Sequence, residues 1–550
     1  MTSPLCKNPG LAKPLQPLRR ATLLVLACSL ALATPSGAQT AAQPPDAYGS
    51  ASSLPALGDG SAMTLAAERR LGDRIAMSIH RDPDNLDDAI LSDYIHSLWQ
   101  PLRAAARSRG ELSPELDERF AWDIFLVRDR SVNAFALPGG YFGIHLGLIG
   151  AVSTSDELAA VMAHELSHVT QRHISRLMTQ QSRQAPWLLA AMILGALAAG
   201  KNANLGGAAI VGGQAAAIQG QLNFSRDMER EADRVGYGVM TGAGFDSAGM
   251  TGMFDKLQQG ARLNDSGAFP YLRSHPLTTE RLAEAQSRLQ LESSAKGAQA
   301  SGPAALANAP YSPMLHAMMA ARARVLSAAG PDAQRAMLAE GQRRLQSATA
   351  PGMVVTPAAS AAAGAIYGGV LAAVRLREFA RARELLEPLA RMAAGDARTR
   401  GAVELLSIEA DLQAGRVPPT AATFDMGKAQ TRAEVMVQAR SLLAGDRAQA
   451  VSERLQTWVA AHPRDAGAWQ LLAEAYGRQK LEVRAIRADA ESRVAQLEYS
   501  GALDRMRAAQ NLIRANPRSA DYMESAIIDT RTRQIDALLK EQLLQEKLDR

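Results

Sequence analysis

Two histidines four residues apart, His164 and His168, enclose a glutamate, Glu165. On a helix the two imidazoles fall one turn apart on the same face, where both can reach one metal ion. Glu165 follows the first of them, so its carboxylate can hold a water at that ion and take its proton. Zinc suits this set, because imidazole is a good borderline ligand and three protein ligands leave a fourth position open. The chemistry implied is metal-assisted hydrolysis with one Zn2+ per chain. The bland alternative is an ordinary helix whose polar face carries two histidines. Histidine is only 9 of 550 residues, which makes that spacing an uncommon coincidence.

A third ligand must come from another segment, and the run from Ser225 to Gly236 offers three acids. On a helix Glu229, Ala232, Asp233 and Gly236 share one face, whereas Glu231 points away. Glu229 is then the ligand, and Asp233, one turn on, can accept the ring N–H of a ligating histidine. The small side chains of Ala232 and Gly236 would let this face approach closely. A solvated acidic helix face is the competing view. His275, between Ser274 and Pro276 and ahead of a helix over Thr279 to Leu291, has three open roles. It can latch the site by filling the open metal position, donate to the oxyanion of a tetrahedral intermediate, or simply lead a helix. His173, five residues past His168, falls off the ligand face and reads as a surface residue. His80, His96, His145, His316 and His462 have no metal-ligand spacing around them.

The elements that must position these groups are legible in outline. Thr154 and Glu157 form a capping box for a helix on which Leu158, Val161, Met162 and Leu166 recur at helical spacing. Short strands precede it: Trp122 to Val127, Asn133 to Leu137, and Tyr141 to His145 after a Pro138-Gly139-Gly140 turn. Asn133, Ala134, Phe135 and Ala136 could then form an edge beside the metal, where an extended peptide adds as a further strand. A plain structural hairpin fits the same spacing equally well. Helices over Thr64 to His80 and Asp87 to Arg107 supply core residues Leu71, Ile75, Ile90, Tyr94 and Leu98. Between the metal helix and Glu229, residues 187–218 are apolar and Gly/Ala-rich, in two runs that each fall short of the ~20 residues spanning a bilayer. They read as a cover over the site, with shallow peripheral membrane contact as the alternative.

Together, Asn133 to Gly140, Asp156-Glu157-Leu158 and His164 to His168 resemble the integral and peripheral membrane metallopeptidases that include the CAAX prenyl endopeptidase, HtpX and Oma1. The resemblance covers roughly Thr64 to Leu291. Its Glu-x-x-Ala-Asp pattern maps onto Glu229 and Asp233, a similar His-Pro occurs at His275, and its members carry membrane-associated segments near 187–218. The exported, soluble layout is most similar to the periplasmic beta-barrel assembly-enhancing branch. That likeness implies misfolded or stalled envelope proteins as substrates and outer-membrane assembly machinery as a docking partner.

Residues 1–38 read as a signal peptide: Lys7, Lys13, Arg19 and Arg20 precede an apolar run from Ala21 to Ala33, and Ser36-Gly37-Ala38 is a small-residue cleavage site. Cleavage before Cys28 and twin-arginine export through Arg19-Arg20 are lesser alternatives. Removal takes away four basic residues and no acidic one, so the formal net charge falls from +5 to +1 and no nucleic-acid partner is indicated. Both cysteines, Cys6 and Cys28, leave with it, so an exported periplasmic protein would depend on packing rather than disulfides. A flexible lead-in over 39–61, a protease domain over 62–292, a linker over 293–313 and a helical domain over 314–550 follow. Trp469, Leu472, Ala473 and Tyr476 match the first helix of a tetratricopeptide repeat, with a weaker copy around Tyr367 and Phe379. Stacked helix pairs of this kind present a concave surface for extended partner segments. The last helix, Thr530 to Arg550, is charged and reads as solvent-facing. The fold class expected is mainly α, with a small β-sheet beside the metal helix and a helical repeat domain behind it. The activity expected is a zinc endopeptidase; the rival is a repeat-based chaperone or scaffold with a mostly latent protease site.

Overall fold

The computed structural model describes residues 63–181, 225–262, 269–296, 312–347 and 356–548, all within one compact unit. The signal over 1–38, the lead-in over 39–61, the insertion over 187–218 and most of the linker over 293–313 lie outside the described residues.

Helix α1 (Leu65–His80) starts where the Thr64 hydroxyl accepts the Ala67 N–H, and α2 (Ala89–Ser108) where Asp88 accepts that of Leu91. The inner stripe of α2, including Leu91, Ile95, Leu98 and Leu102, is fully buried in the main hydrophobic core. A short α3 (Pro114–Arg119) leads into three strands, β1 (Asp123–Val127), β2 (Ala134–Leu137) and β3 (Tyr141–His145). The strand order is β1-β3-β2, with β3 parallel to β1 and antiparallel to β2. Gly139 and Gly140 make the β2–β3 turn at φ of 76° and 79°, a conformation a Cβ would resist. The sheet is followed by α4 (Leu146–Ala151), α5 (Ser155–Thr170) and α6 (His173–Gln181), then α7 (Arg226–Gly242), α8 (Ala248–Arg262), α9 (Tyr271–Ser274) and α10 (Thr279–Lys296).

The described residues of the C-terminal half are mostly helical: α11 (Pro313–Ser327), α12 (Gly330–Ser347), α13 (Pro357–Arg375), α14 (Phe379–Ala393), α15 (Ala397–Gln413), α16 (Arg432–Ala444), α17 (Ala448–Ala461), α18 (Ala466–Arg478), α19 (Glu482–Ala495), α20 (Tyr499–Ala515) and α21 (Tyr522–Leu548). Neighbouring helices pack on one another, α18 on α19 and α19 on α20 among them. By length and composition α13 could cross a membrane, but 78% of its apolar window is buried inside the protein. The last helix differs from expectation. It begins at Tyr522, and Ile528 and Ile535 are fully buried in a cluster with Leu503 and Met506 of α20. A charged composition hid this stripe, in which Ile528 and Ile535 are joined by the partly buried Leu539.

One hydrophobic core runs from α2 and α5 into α11, α13 and α16. Polar locks cross the same boundary. Arg322 of α11, itself paired with Glu409 of α15 at 2.8 Å, meets Asp88 at 2.7 Å, and Arg432 of α16 meets Asp87 at 2.7 Å. His316 of α11 lies 2.6 Å from the Tyr94 hydroxyl of α2 and 3.1 Å from the Val152 carbonyl.

Candidate metal centre

Helix α5 is buried on nearly every side, from Ser155 to Val169 with Asp156 the exception, so it is a core helix and its polar groups need internal partners. Thr154 caps it by accepting the Glu157 N–H at 3.2 Å. The Glu157 carboxylate reaches back to the Ser153 N–H at 2.6 Å, one residue beyond the expected reciprocal bond to Thr154. Helix α7 crosses it with Ala232 fully buried, and at Gly236 a Cβ would come within 3.2 Å of the backbone of Ala163 and His164. That close approach brings the two ligand faces together.

His164, His168, Glu229 and His275 each offer an atom to a common centre, and these atoms all lie within 4.8 Å of one another. All four residues are 3% exposed or less. His164 Nε2 lies 3.0 Å from His168 Nε2, and Glu229 lies 3.5 Å from the first and 3.4 Å from the second. His275 is in the same cluster, with Nδ1 2.9 Å from Glu229 Oε1 and Nε2 3.5 Å from Glu165 Oε1. On the far side of the His164 ring, Asp233 Oδ1 accepts from His164 Nδ1 at 3.0 Å. Arg281 of α10 holds both acids: it donates to the two Asp233 oxygens at 2.6 and 2.8 Å and stands 2.8 Å from Glu229 Oε2. The last contact is an ion pair without hydrogen-bond alignment, since Glu229 Oε2 has no aligned donor.

Both Glu165 oxygens are buried with no hydrogen-bond partner, an arrangement that costs free energy unless a cation or a water at the centre pairs with them. Three imidazoles and a carboxylate around that point form a donor set suited to a hydrolytic metal ion. Charge agrees. Burial works to lower the His164 pKa, but Asp233 and Glu229 outweigh it and raise it to about 10, so the cavity favours positive charge at its centre. Burial and the neighbouring imidazoles push His168 well below its ordinary value, which leaves it neutral and able to ligate. Burial raises the Glu229 carboxyl, yet His275, His164 and His168 more than offset this and hold it ionised.

Asn133, Ala134, Phe135 and Ala136 lie along the outer strand of the sheet, on the β2 side that packs against α5. The His145 N–H donates to the Asn133 carbonyl, which sets the phase of the ladder. Asn133, Phe135 and Leu137 therefore bond inward to β3, while Ala134 and Ala136 turn their N–H and C=O groups to the free side.

His173 corrects the sequence reading. It is fully buried, because α5 ends at Thr170 and Arg172 reverses the chain at φ 53°, so the helical period does not carry past it. Arg281 and Tyr271 belong to the site without any sequence motif to mark them. Tyr271 stacks on the His275 ring at 4.5 Å, and its N–H reaches the Val132 carbonyl at 3.4 Å, beside the start of the edge strand. No spacing rule ties residues so far apart to His164; an arginine two residues into a helix after His275-Pro276 was the one available signal.

The profile of Peptidase family M48 matches residues 100–289. The chain is 37% identical over 237 residues to the putative beta-barrel assembly-enhancing protease of Vibrio cholerae, covering 43% of this chain and 47% of that one. It is 28% identical over 446 residues to the beta-barrel assembly-enhancing protease of Yersinia pestis, covering 80% and 83% respectively. A mitochondrial metalloendopeptidase OMA1 of Arabidopsis thaliana is 26% identical over 190 residues, 34% of this chain and 35% of its own. The match thus spans about half the length of the Vibrio relative and most of the Yersinia one.

Proposed function

We propose, for a chain that carries a Peptidase family M48 domain over residues 100–289, that it is an exported zinc endopeptidase acting on misfolded or stalled envelope proteins in the periplasm. The observation that carries the reading is the buried His164, His168, Glu229 and His275 cluster, faced by a Glu165 carboxylate that accepts no hydrogen bond. His164, His168 and Glu229 would hold the ion, which when bound supplies Lewis acidity toward a scissile carbonyl and its attacking water. Glu165 takes the proton from that water and delivers it to the leaving amine. Asp233 keeps His164 in the ligating tautomer. An extended substrate adds to β2 through the outward groups of Ala134 and Ala136. His275 fits a latch best, since its ring sits among the ligands rather than above them. An oxyanion donor on the same residue remains the contrasting role.

The names of the bacterial relatives support a role in beta-barrel assembly; the helical C-terminal half would then dock on outer-membrane assembly machinery or on clients. A repeat-based chaperone with a latent site is the second reading, favoured by the crowding of His275 into the cluster. Digestion of an unfolded protein such as casein, with chelator and with zinc restored, tests the first. Cleavage should stop with chelator, return with zinc, and fall by three orders of magnitude or more (~10³-fold) in Glu165→Gln, in line with loss of an acid–base group and its water. Full envelope function in cells carrying Glu165→Gln would favour the second.

A further inference from the structure

His168 presents Nε2 to the cluster, 3.0 Å from His164 Nε2. Its other nitrogen points away, and there Nδ1 meets Nδ1 of His173 at 2.9 Å. His173 Nε2 lies 3.1 Å from Glu231 Oε2, and Arg176 Nη1 stands 2.8 Å from the same oxygen. Nothing in the reaction as described uses these three residues. The chain is bent to bring them there. Arg172 adopts φ 53°, which costs a non-glycine residue on the order of 1 kcal/mol. It is held by Glu68, itself 2% exposed, through bonds of 3.0 and 3.2 Å.

We propose that His173 is a positioning residue for the metal centre, fixing the ring plane and tautomer of His168 through an imidazole relay that ends on Glu231. This rests on the reading of His168 as a ligand. A ligating Nε2 must be bare, so the His168 proton sits on Nδ1 and donates to His173 Nδ1. His173 then carries its own proton on Nε2 and donates it to the Glu231 carboxylate, which Arg176 keeps in place. Each step has one donor and one acceptor, so a single arrangement of protons satisfies the whole row. The two ligand histidines are thus supported differently: His164 rests directly on the Asp233 carboxylate, and His168 rests on a carboxylate one ring further out.

The two amide substitutions of His173 separate positioning from bulk. Asparagine places an oxygen near Nδ1 and keeps an acceptor for His168, whereas glutamine places its polar end near Nε2 and leaves His168 Nδ1 without one. Zinc affinity, measured by competition with a colorimetric chelator, should weaken about 10- to 100-fold in His173→Gln and only about threefold in His173→Asn. Glu231→Gln, at a partly exposed site and a safe variant to fold, should cost about threefold, because its amide still holds the ring. Melting temperatures of the zinc-free Asn and Gln variants should be alike. Equal zinc affinity in wild type and both His173 variants would overturn the proposal, as would equal weakening that tracks a loss of melting temperature. A wild-type protein that takes up no zinc would instead overturn the metal centre, and this relay with it.

Discussion

Arg281 stands between two carboxylates that would otherwise share a dry cavity. It is 4% exposed, bonded to Asp233 on two oxygens and paired with Glu229. Removing one partner of a buried pair leaves an uncompensated charge, so Arg281→Ala should cost about 3–5 kcal/mol of stability in the metal-free protein, read by urea melts. A loss under 1 kcal/mol would mean that solvent already reaches the acids. Glu229→Ala should abolish zinc uptake, whereas Glu231, which lies outside the cluster, should only modulate it. His275→Ala separates its roles by sign. Turnover should rise severalfold with zinc retained if the ring is a latch, and a fall of orders of magnitude would make it an oxyanion donor. His164, Glu165, His168, Glu229 and Asp233 were legible because each pair shares one helix, where a four-residue step fixes which side chains meet. Arg281, Tyr271 and His173 were not, since their places depend on chain reversals at Arg172 and around Pro276 that no periodicity encodes.

At the level of elements, the site depends on how closely α7 lies on α5. The Gly236 position leaves 3.2 Å between a would-be Cβ and the Ala163 carbonyl carbon, and that neighbour is backbone rather than a flexible side chain. Gly236→Ala should therefore push the helices apart by a few tenths of an ångström at a cost of about 1–3 kcal/mol. Weaker zinc binding should accompany it, as isothermal titration would record. For the edge strand, proline at Ala134 or Ala136 removes an outward donor and leaves the β3 ladder intact, so peptide turnover should drop while zinc content holds. Proline at Phe135 removes an inward donor and should unfold the sheet. Collapse of zinc binding and fold from all three would make β2 structural only. The three strands were readable from turn chemistry and alternation; their order was not, because β1 and β3 pair across an intervening strand.

Over the whole molecule, the C-terminal helices are fastened to α2 and its N-cap by Arg322 and by His316. Burial pushes the His316 ring down to about 4, against which its contact with the Val152 carbonyl is a smaller, opposing effect. In the unfolded chain the ring titrates near ~6.5, so below that pH the unfolded state binds a proton the folded state refuses. This stability is present above pH ~6.5 and is lost as pH falls toward 4, by at most about 3 kcal/mol. His316→Gln should flatten the pH 7-to-5 dependence of urea stability relative to wild type; an unchanged slope would place the acid sensitivity elsewhere. The helical content of both halves was plain from composition and period. Their common core was not, because docking between segments hundreds of residues apart leaves no local pattern.

The most direct measurement is anomalous diffraction at the zinc edge from crystals of the zinc-loaded protein. The expected result is one ion bonded at about 2.0–2.2 Å to His164, His168 and Glu229, with His275 in the fourth position as the closed latch and Glu165 beside it but not bonded. An ion held instead by His173 and Glu231, or none among these residues in a protein that still cleaves peptides, would contradict it.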